Sequence, residues 1–357
     1  MTTWSWCGSG ETAGSHTRSV TLTSPNERST LISGRILGSV IDAPTPEELD
    51  SAHCVDSSDL VSGSPEMTAF RQQTRLHQAH WREAHGHPIG TQPFIPRPGV
   101  DARPVGSRIP LDYGRRTGAN FLTEAVREAV RRRSAVVERE QSIDQQRLWA
   151  DLLSSEALAF NLFGDLAADH RRADRAIQAC WPDTPGHVSE VRFLHSPGRL
   201  DPDWLNSLRQ FDAAVVLDRG DGTNGIVALD VTYHERLKAE TPKPENLWRL
   251  REVHERSGVF MPAAWDRLHV RNDLWSPWLE HLLMLSMLQH PSGAWRWGRY
   301  VVVHPAANVE MADMCARYRA LLADDATFGS ISVEKLVGEG ILAAPTLRAI
   351  RERYLPV

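Results

Sequence analysis

Two aspartates stand alone within two strongly apolar segments. Asp212 belongs to Phe211-Asp-Ala-Ala-Val-Val-Leu, and Asp230 belongs to Ile226-Val-Ala-Leu-Asp-Val-Thr-Tyr-His-Glu. A carboxylate among buried strand residues is costly unless it is paired or binds a cation, and two neighbouring carboxylates also repel each other. A divalent metal ion is a common remedy. The alternative is that Asp212 caps a strand end at the surface while Asp230 pairs with an arginine.

The segment Asp218-Arg-Gly-Asp-Gly-Thr-Asn-Gly between these two runs has the residues of a tight turn and predicts a β-hairpin. In an antiparallel pair, residues that face each other lie on the same side of the sheet. Asp212 therefore shares a face with Asp230 and Thr232 only if it lies opposite one of those two. The hypothesis of a common site predicts that register, because a position opposite Val231 would separate the carboxylates.

Apolar periodicity predicts the elements that must position the two aspartates. An apolar helical stripe from Leu148 to Leu166 precedes the strands, and an apolar helix that begins at Ser276-Pro277 follows them. The order helix, three strands, helix, strand indicates a mixed α/β domain with a small central sheet flanked by helices. The predicted strands are Val188–Leu194, Phe211–Leu217, Ile226–Tyr233 and Arg299–His304, and the further helices are 66–84, 124–133, 168–180, 244–256, 309–323 and 345–354.

Composition divides the chain into three parts. Residues 1–65 are rich in Ser, Thr, Gly and Asp without periodicity, which predicts a disordered or loosely attached leader. Residues 66–141 predict a helix and an irregular, proline-rich N-terminal arm that packs on the core, including a helix capped by Thr123. The main domain is expected at 142–357.

The overall composition excludes several classes of protein. With 41% apolar and 24% charged residues in 357, the chain is neither collagen, coiled coil nor wholly disordered. The longest apolar run, Trp278–Leu288, is interrupted by Glu280 and His281 and is too short for a membrane span. The four cysteines form no CxxC pair, and no secretory signal is visible, so a cytoplasmic protein without a membrane partner is expected.

Basic residues give weaker signals. The net charge of −5 does not indicate a nucleic-acid-binding protein, and only three of the 40 basic residues are lysines. Arg115 and Arg116, in the irregular arm, are candidates for phosphate contacts. Arg199 follows the first predicted strand and is a candidate at the mouth of a groove. A cluster of histidines could bind zinc or nickel, although a polar helix end explains it better; its members are His77, His80, His85 and His87.

The two aspartate segments resemble the second and third motifs of the PD-(D/E)XK, or restriction-endonuclease-like, nuclease superfamily. The predicted order of elements matches the αβββαβ core of that superfamily. Longer phrases resemble one bacterial branch of inferred restriction endonucleases, and they span roughly residues 66–357. These phrases are HWREAHGHPIGTQP (80–93), GANFLT (118–123), LLSSEALAFNLFGDLA (152–167), HSPGR (195–199), TYHE (232–235) and LEHLLMLSML (279–288). The short metal motif alone is weak, whereas the collinear set of phrases is much more specific.

The resemblance implies a magnesium- or manganese-dependent endonuclease that hydrolyses DNA. Asp212, Asp230 and the carbonyl oxygen of Val231 would hold the Mg²⁺ (or Mn²⁺), and Glu156 lies where the superfamily often adds a carboxylate. The alternative for Glu156 is a glutamate that faces solvent or pairs with an arginine. His234 and Glu235 match the branch pattern, and either orient the substrate or a ligand or pair with arginines. Many relatives cut as dimers, so the resemblance also allows a homodimer.

The chain departs from the family motif at its third position. Thr232 stands where a lysine is expected, the motif acid is Asp230 where the branch tends to have Glu, and Leu194 stands where a Glu is expected before His195. Lys238 or Lys243 could restore the missing charge, unless they are simply lysines of a proline-rich loop. Thr232 therefore leaves two functions open, a DNA-cleaving enzyme and a non-catalytic relative that binds nucleic acid or a protein. A metal-dependent hydrolase of another substrate has no feature in its favour.

Overall fold

A computed structural model describes residues 42–54, 68–93, 101–136, 138–235, 237–240, 246–338, 340 and 342–355. These residues all belong to the compact unit Val40–Val357. No helix among the described residues is long and apolar enough to cross a membrane. The strands in the described residues are β1 (Gly90–Thr91), β2 (Pro104–Val105), β3 (His187–His195), β4 (Phe211–Asp218), β5 (Asn224–Val231), β6 (Trp295–His304) and β7 (Phe328–Ser332).

Within the described residues, five strands form a mixed sheet in the order β3-β4-β5-β6-β7. The first three strands are antiparallel neighbours, whereas β6 and β7 continue the sheet in parallel. Parallel pairing of β5 with β6 needs a crossover connection of a dozen or more residues, and the helical segment between these strands provides it. Strands β1 and β2 pair separately.

Helices lie on both faces of the five-stranded sheet, as the apolar patterning predicts. They are α1 (Pro46–Ser51), α2 (Ala69–Ala84), α3 (Leu111–Thr117), α4 (Glu124–Ser134), α5 (Gln145–Ala150), α6 (Ser155–Ala168), α7 (His170–Cys180), α8 (Leu247–Ser257), α9 (Ala264–Leu268), α10 (Trp275–Leu288), α11 (Val309–Arg319), α12 (Val333–Gly338) and α13 (Ala344–Tyr354). The expected side-chain cap of α4 is confirmed, because Thr123 accepts a hydrogen bond from the Val126 amide.

Each face of the sheet supplies one core. Val215 of β4 and Val227 of β5 pack with α4, α6 and α7, whereas Ala214 and Ala228 pack with α8, α10 and α11. This alternation is the two-residue period of a β-strand. It assigns even-numbered positions of the central part of β4 and of β5 to the face that α10 covers.

Several features differ from the sequence prediction or extend it; the unpredicted elements also include β1, β2, α3, α9 and α12. The apolar stripe from Leu148 to Leu166 is two helices, because Ser154 caps α6 by accepting the Ala157 amide. Strand β7 is short and was not predicted. Helix α1, within the predicted leader, has a capping box between Thr45 and Glu48, while residues 1–41 and 55–67 lie outside the described part.

Candidate metal centre

Asp212 and Asp230 stand opposite each other on one face of the sheet. Strands β4 and β5 pair Ala213 with Leu229, so the next residues outward in that register are Asp212 and Asp230. The predicted register is therefore confirmed, and the register that places Val231 opposite Asp212 is excluded. By the alternation of the strands, both carboxylates lie on the face that α10 covers.

The Asp212 carboxylate is held by backbone and lies close to other acids. Its Oδ2 accepts a hydrogen bond from the Val231 amide at 2.8 Å. Burial, and then the charge of Asp230, raise the pKa of the Asp212 carboxyl well above its ordinary value, and Glu156 adds to the effect. No arginine or lysine that the structure describes forms an ion pair with this carboxylate, and a buried carboxylate without such a partner is stabilised by a bound cation.

The arginines around this pair of aspartates are engaged elsewhere. Arg147 pairs with Glu235, and Arg209 pairs with Glu240 at 2.6 Å and with Glu280 at 3.6 Å. Among the described residues, the structure shows no ion pair between an arginine and Asp230. Within the described part of the chain, the alternative in which Asp230 pairs with an arginine is therefore not found.

Glu280 of α10 brings a third carboxylate that sequence reasoning did not assign to the site. The Tyr300 hydroxyl of β6 lies 3.1 Å from Glu280 Oε2 and 3.2 Å from Asp230 Oδ2. Burial, and then the charge of Asp230, raise the pKa of the Glu280 carboxyl well above its usual range. The signal in the sequence was this acid within an otherwise apolar helix, where it interrupts the longest apolar run.

Asp212, Asp230 and Glu280 line one cleft of about 640 Å³. Thr232 is half-buried in it, with its amide bonded to the Val303 carbonyl at 2.8 Å, and Lys238 is exposed at its edge. Lys243 lies outside the described residues. The sequence-predicted residues that line the cleft are Glu156, Arg199, Asp212, Asp230, Val231, Thr232, Glu235 and Lys238.

Glu235 is occupied by protein groups. Its carboxylate pairs with Arg147, accepts the Ser155 hydroxyl, and accepts the amides of Tyr233 at 3.0 Å and His234 at 3.2 Å. Burial acts to raise the pKa of the Glu235 carboxyl, but Arg147 and these donors outweigh it and hold the pKa below its ordinary value. Of the two interpretations of Glu235, the structure shows the arginine pair.

His234 does not line the cleft. Burial lowers the pKa of its imidazole to about 3, so the ring is neutral near pH 7. Arg71 of α2 donates to the backbone carbonyls of His234 at 2.9 Å and Glu235 at 3.2 Å. Helix α2 thus holds the segment that follows Val231. No local sequence pattern predicts this contact, because 163 residues separate Arg71 from His234.

The three predicted phosphate-contacting arginines have protein partners. Arg199 donates to the carbonyls of Arg139, Leu208 and Glu140 at 2.7, 3.2 and 3.0 Å. Arg115 donates to the Gln145 side chain at 3.1 Å, and Arg116 lies over the Tyr113 ring at 5.9 Å. Arg199 lines the cleft, whereas Arg115 and Arg116 do not.

Glu156 lies in the first turn of α6, with its carboxylate in the cleft. Its Oε2 is buried and has no hydrogen-bond partner among the described residues. Burial is the main cause that raises the pKa of this carboxyl. An orphaned buried oxygen beside Asp212 fits a site that takes a cation.

The donor set fits magnesium better than a zinc-type cage. No group of three His, Cys, Asp or Glu side chains is already arranged to hold a metal among the residues that the structure describes. The histidines proposed from the sequence as a zinc or nickel site are among the described residues and do not form such a group either. One of them, His77, contacts the Glu352 carbonyl at 2.9 Å. Mg²⁺ usually keeps several waters and takes one or two carboxylates, and Asp212 and Asp230 are donors of that type.

Comparison with known proteins agrees with this geometry. A family model of the PD-(D/E)XK nuclease superfamily matches residues 65–356. No curated protein and no solved structure gives a significant match. Nucleases of this superfamily typically depend on divalent metal ions. Because the family model covers most of the sequence and the two motif aspartates face each other in the fold, the chain belongs to the PD-(D/E)XK nuclease superfamily.

Proposed function

We propose that the protein is a Mg²⁺- or Mn²⁺-dependent endonuclease that hydrolyses DNA phosphodiester bonds. The observation that carries the proposal is the register that sets Asp212 opposite Asp230 in the cleft. In this proposal α6, β3, β4, β5, α10 and β6 are the αβββαβ core. The nuclease domain is 142–357, and 66–141 packs on it as an N-terminal arm.

Asp212, Asp230 and the Val231 carbonyl would hold the cation, with Glu156 as a further carboxylate. When bound, the cation lowers the pKa of a water and offsets the negative charge of the phosphodiester. The chain itself fixes the acids: Val231 donates to Asp212, and Tyr300 contacts Asp230. Thr232 offers a hydroxyl donor in the cleft but no charge.

We assign to Lys238 the positive charge that the motif lysine supplies in other members of the superfamily. It lines the cleft, it is exposed, and no described residue pairs with it, whereas Arg147, Arg199 and Arg209 have protein partners. Lys238→Ala is therefore expected to lower kcat by roughly 10²–10³, the usual loss for one transition-state donor. Single-turnover cleavage measures it.

Lys335→Ala is the matched control, since Lys335 lies on α12 and does not line the cleft. Thr232→Lys in the Lys238→Ala background is expected to restore part of the rate by returning the charge to the family position. Normal turnover by Lys238→Ala would refute the assignment of this lysine.

A second function is favoured by Thr232 itself. A chain that lacks the motif lysine can keep the cleft for binding nucleic acid or a partner protein without cleaving. In that case the purified protein binds DNA in the presence of Mg²⁺ but leaves it intact, and Lys238→Ala changes nothing.

The proposed function is tested by incubating supercoiled plasmid with purified protein and Mg²⁺ or Mn²⁺, with EDTA in a parallel reaction. Nicking or linearisation that requires the cation is expected, and an identically purified Asp212→Asn protein controls for contaminating nucleases. Equal cutting by both proteins, or none by either, would overturn the proposal. Light scattering on the same samples reports whether the active species is the homodimer that the resemblance allows.

A further inference from the structure

Arg147 of α5 places a positive charge inside the cleft. Asp144 caps α5 by accepting a hydrogen bond from the Arg147 amide at 3.0 Å, which fixes the point where the side chain begins. The side chain is 24% exposed and lines the cleft together with Asp212 and Glu156. A guanidinium thus lies in the same cleft as the carboxylates to which the cation is assigned.

Among the described residues, the Arg147 guanidinium has an acceptor for one of its three nitrogens. Nη2 pairs with Glu235, whereas Nε is buried without a hydrogen-bond partner and no described residue accepts a hydrogen bond from Nη1. A guanidinium has five N–H donors, and donors that lose water without gaining an acceptor cost free energy. The unused donors of Arg147 therefore favour an acceptor that a ligand brings into the cleft.

The surroundings of Arg147 keep it charged and hold it in place. Burial acts to lower the pKa of its guanidinium, but the charges of Glu235 and then of Glu156 outweigh burial and raise the pKa above its ordinary value. Glu235 is itself held by the Ser155 hydroxyl and the Tyr233 amide. Arg147 is therefore a permanent cation whose orientation is set from one side, with Nη1 left over as a donor.

Phosphate is the ligand group that matches such a donor. A planar guanidinium binds phosphate oxygens through directed, charge-assisted hydrogen bonds. No described carboxylate in the cleft other than Glu235 forms an ion pair with Arg147, so the nearby acids Asp212 and Glu156 do not take up its remaining donors. A phosphodiester has two non-bridging oxygens, so a guanidinium can bind one while the other stays available to a metal ion.

We propose that Arg147 binds a phosphate group of the nucleic acid in the cleft through Nη1. This inference rests on the proposed function and adds a residue that contacts the substrate. It does not replace Lys238, which is exposed at the edge of the cleft and offers a single ammonium group.

The salt dependence of DNA binding tests the proposal. The parent protein is Asp212→Asn in EDTA, which cannot cleave by the proposed mechanism, and the variant adds Arg147→Gln and Glu235→Gln, which together leave the net charge unchanged. The slope of log K against log salt concentration for a DNA duplex is expected to fall by about 0.9 in magnitude, the value for one lost phosphate contact. Arg251→Gln with Glu255→Gln removes an exposed ion pair outside the cleft and is the matched control, with no change of slope expected.

An unchanged slope in the folded Arg147→Gln, Glu235→Gln protein, or an equal fall in the control, would overturn the phosphate contact and leave the proposed function intact. A parent protein that binds no duplex would instead refute the proposed function. If the Arg147 variant does not fold, a crystal structure of the parent protein with the duplex decides the question. A phosphate oxygen within about 2.7–3.2 Å of Arg147 Nη1 supports the proposal, and only protein or water acceptors at that distance contradict it.

Discussion

Asp212→Asn is expected to abolish cleavage without destabilising the fold. The amide oxygen of asparagine can still accept the Val231 amide, which Asp212 now accepts at 2.8 Å. The variant loses a charge that burial and Asp230 disfavour, so the free energy of unfolding of the cation-free protein should not fall. The rate should fall by about 10³-fold or more, because the cation contributes several kcal/mol to the transition state.

Cleavage assays combined with thermal denaturation measure both halves of this prediction. Asp218→Asn is the matched control: Asp218 ends the same strand, is exposed, and bonds the Gly220 amide at 2.8 Å. It should cleave like the wild type. Wild-type cleavage by Asp212→Asn would contradict the role of Asp212, and a large drop in its Tm would show that activity was lost through unfolding.

Glu235→Ala is expected to have the largest effect on stability. It leaves Arg147 without its partner and removes the acceptor of the Ser155 hydroxyl and the Tyr233 amide. Breaking a fully buried pair costs about 3–5 kcal/mol, and this pair is about one quarter exposed, so we expect about 2–3 kcal/mol. Urea denaturation at pH 7 measures it.

The stabilisation that Glu235 provides is expected to depend on pH. The folded-state pKa of Glu235 lies below its ordinary value, so its stabilisation is complete above the unfolded-state pKa and is lost as the pH falls through the folded-state pKa. The difference in unfolding free energy between wild type and Glu235→Ala should be constant near neutrality and shrink below about pH 4. Glu128→Ala, which removes two exposed ion pairs of α4, with Arg131 and Arg132, should cost less than about 1 kcal/mol. A difference that grows on acidification would contradict the assigned role of Glu235.

The sequence predicted the facing aspartates because the pattern that carries them is local. Two apolar strands, a turn of Asp and Gly residues and a side-chain period of two leave only two registers, and only one brings Asp212 and Asp230 together. The family resemblance identified the superfamily from phrases spread along the chain, and the family model confirms that identification.

Partners that come from distant segments could not be predicted in this way. Glu235 meets Arg147 across 88 residues and Arg71 meets His234 across 163, so the choice between substrate contact and arginine pair needed the fold. Glu280 was visible only as a charge in an apolar helix. It joins the site because α10 packs against β6 and directs that one side chain towards Tyr300 and Asp230.

Calorimetric titration of Mn²⁺ into the wild type and into the Asp212→Asn, Asp230→Asn double variant tests most directly whether acids from neighbouring strands share a cation. The wild type should bind the ion, and the variant should bind it at least about 10-fold more weakly while remaining folded by circular dichroism. Equal affinity in the two folded proteins would contradict the claim that this pair is the metal centre.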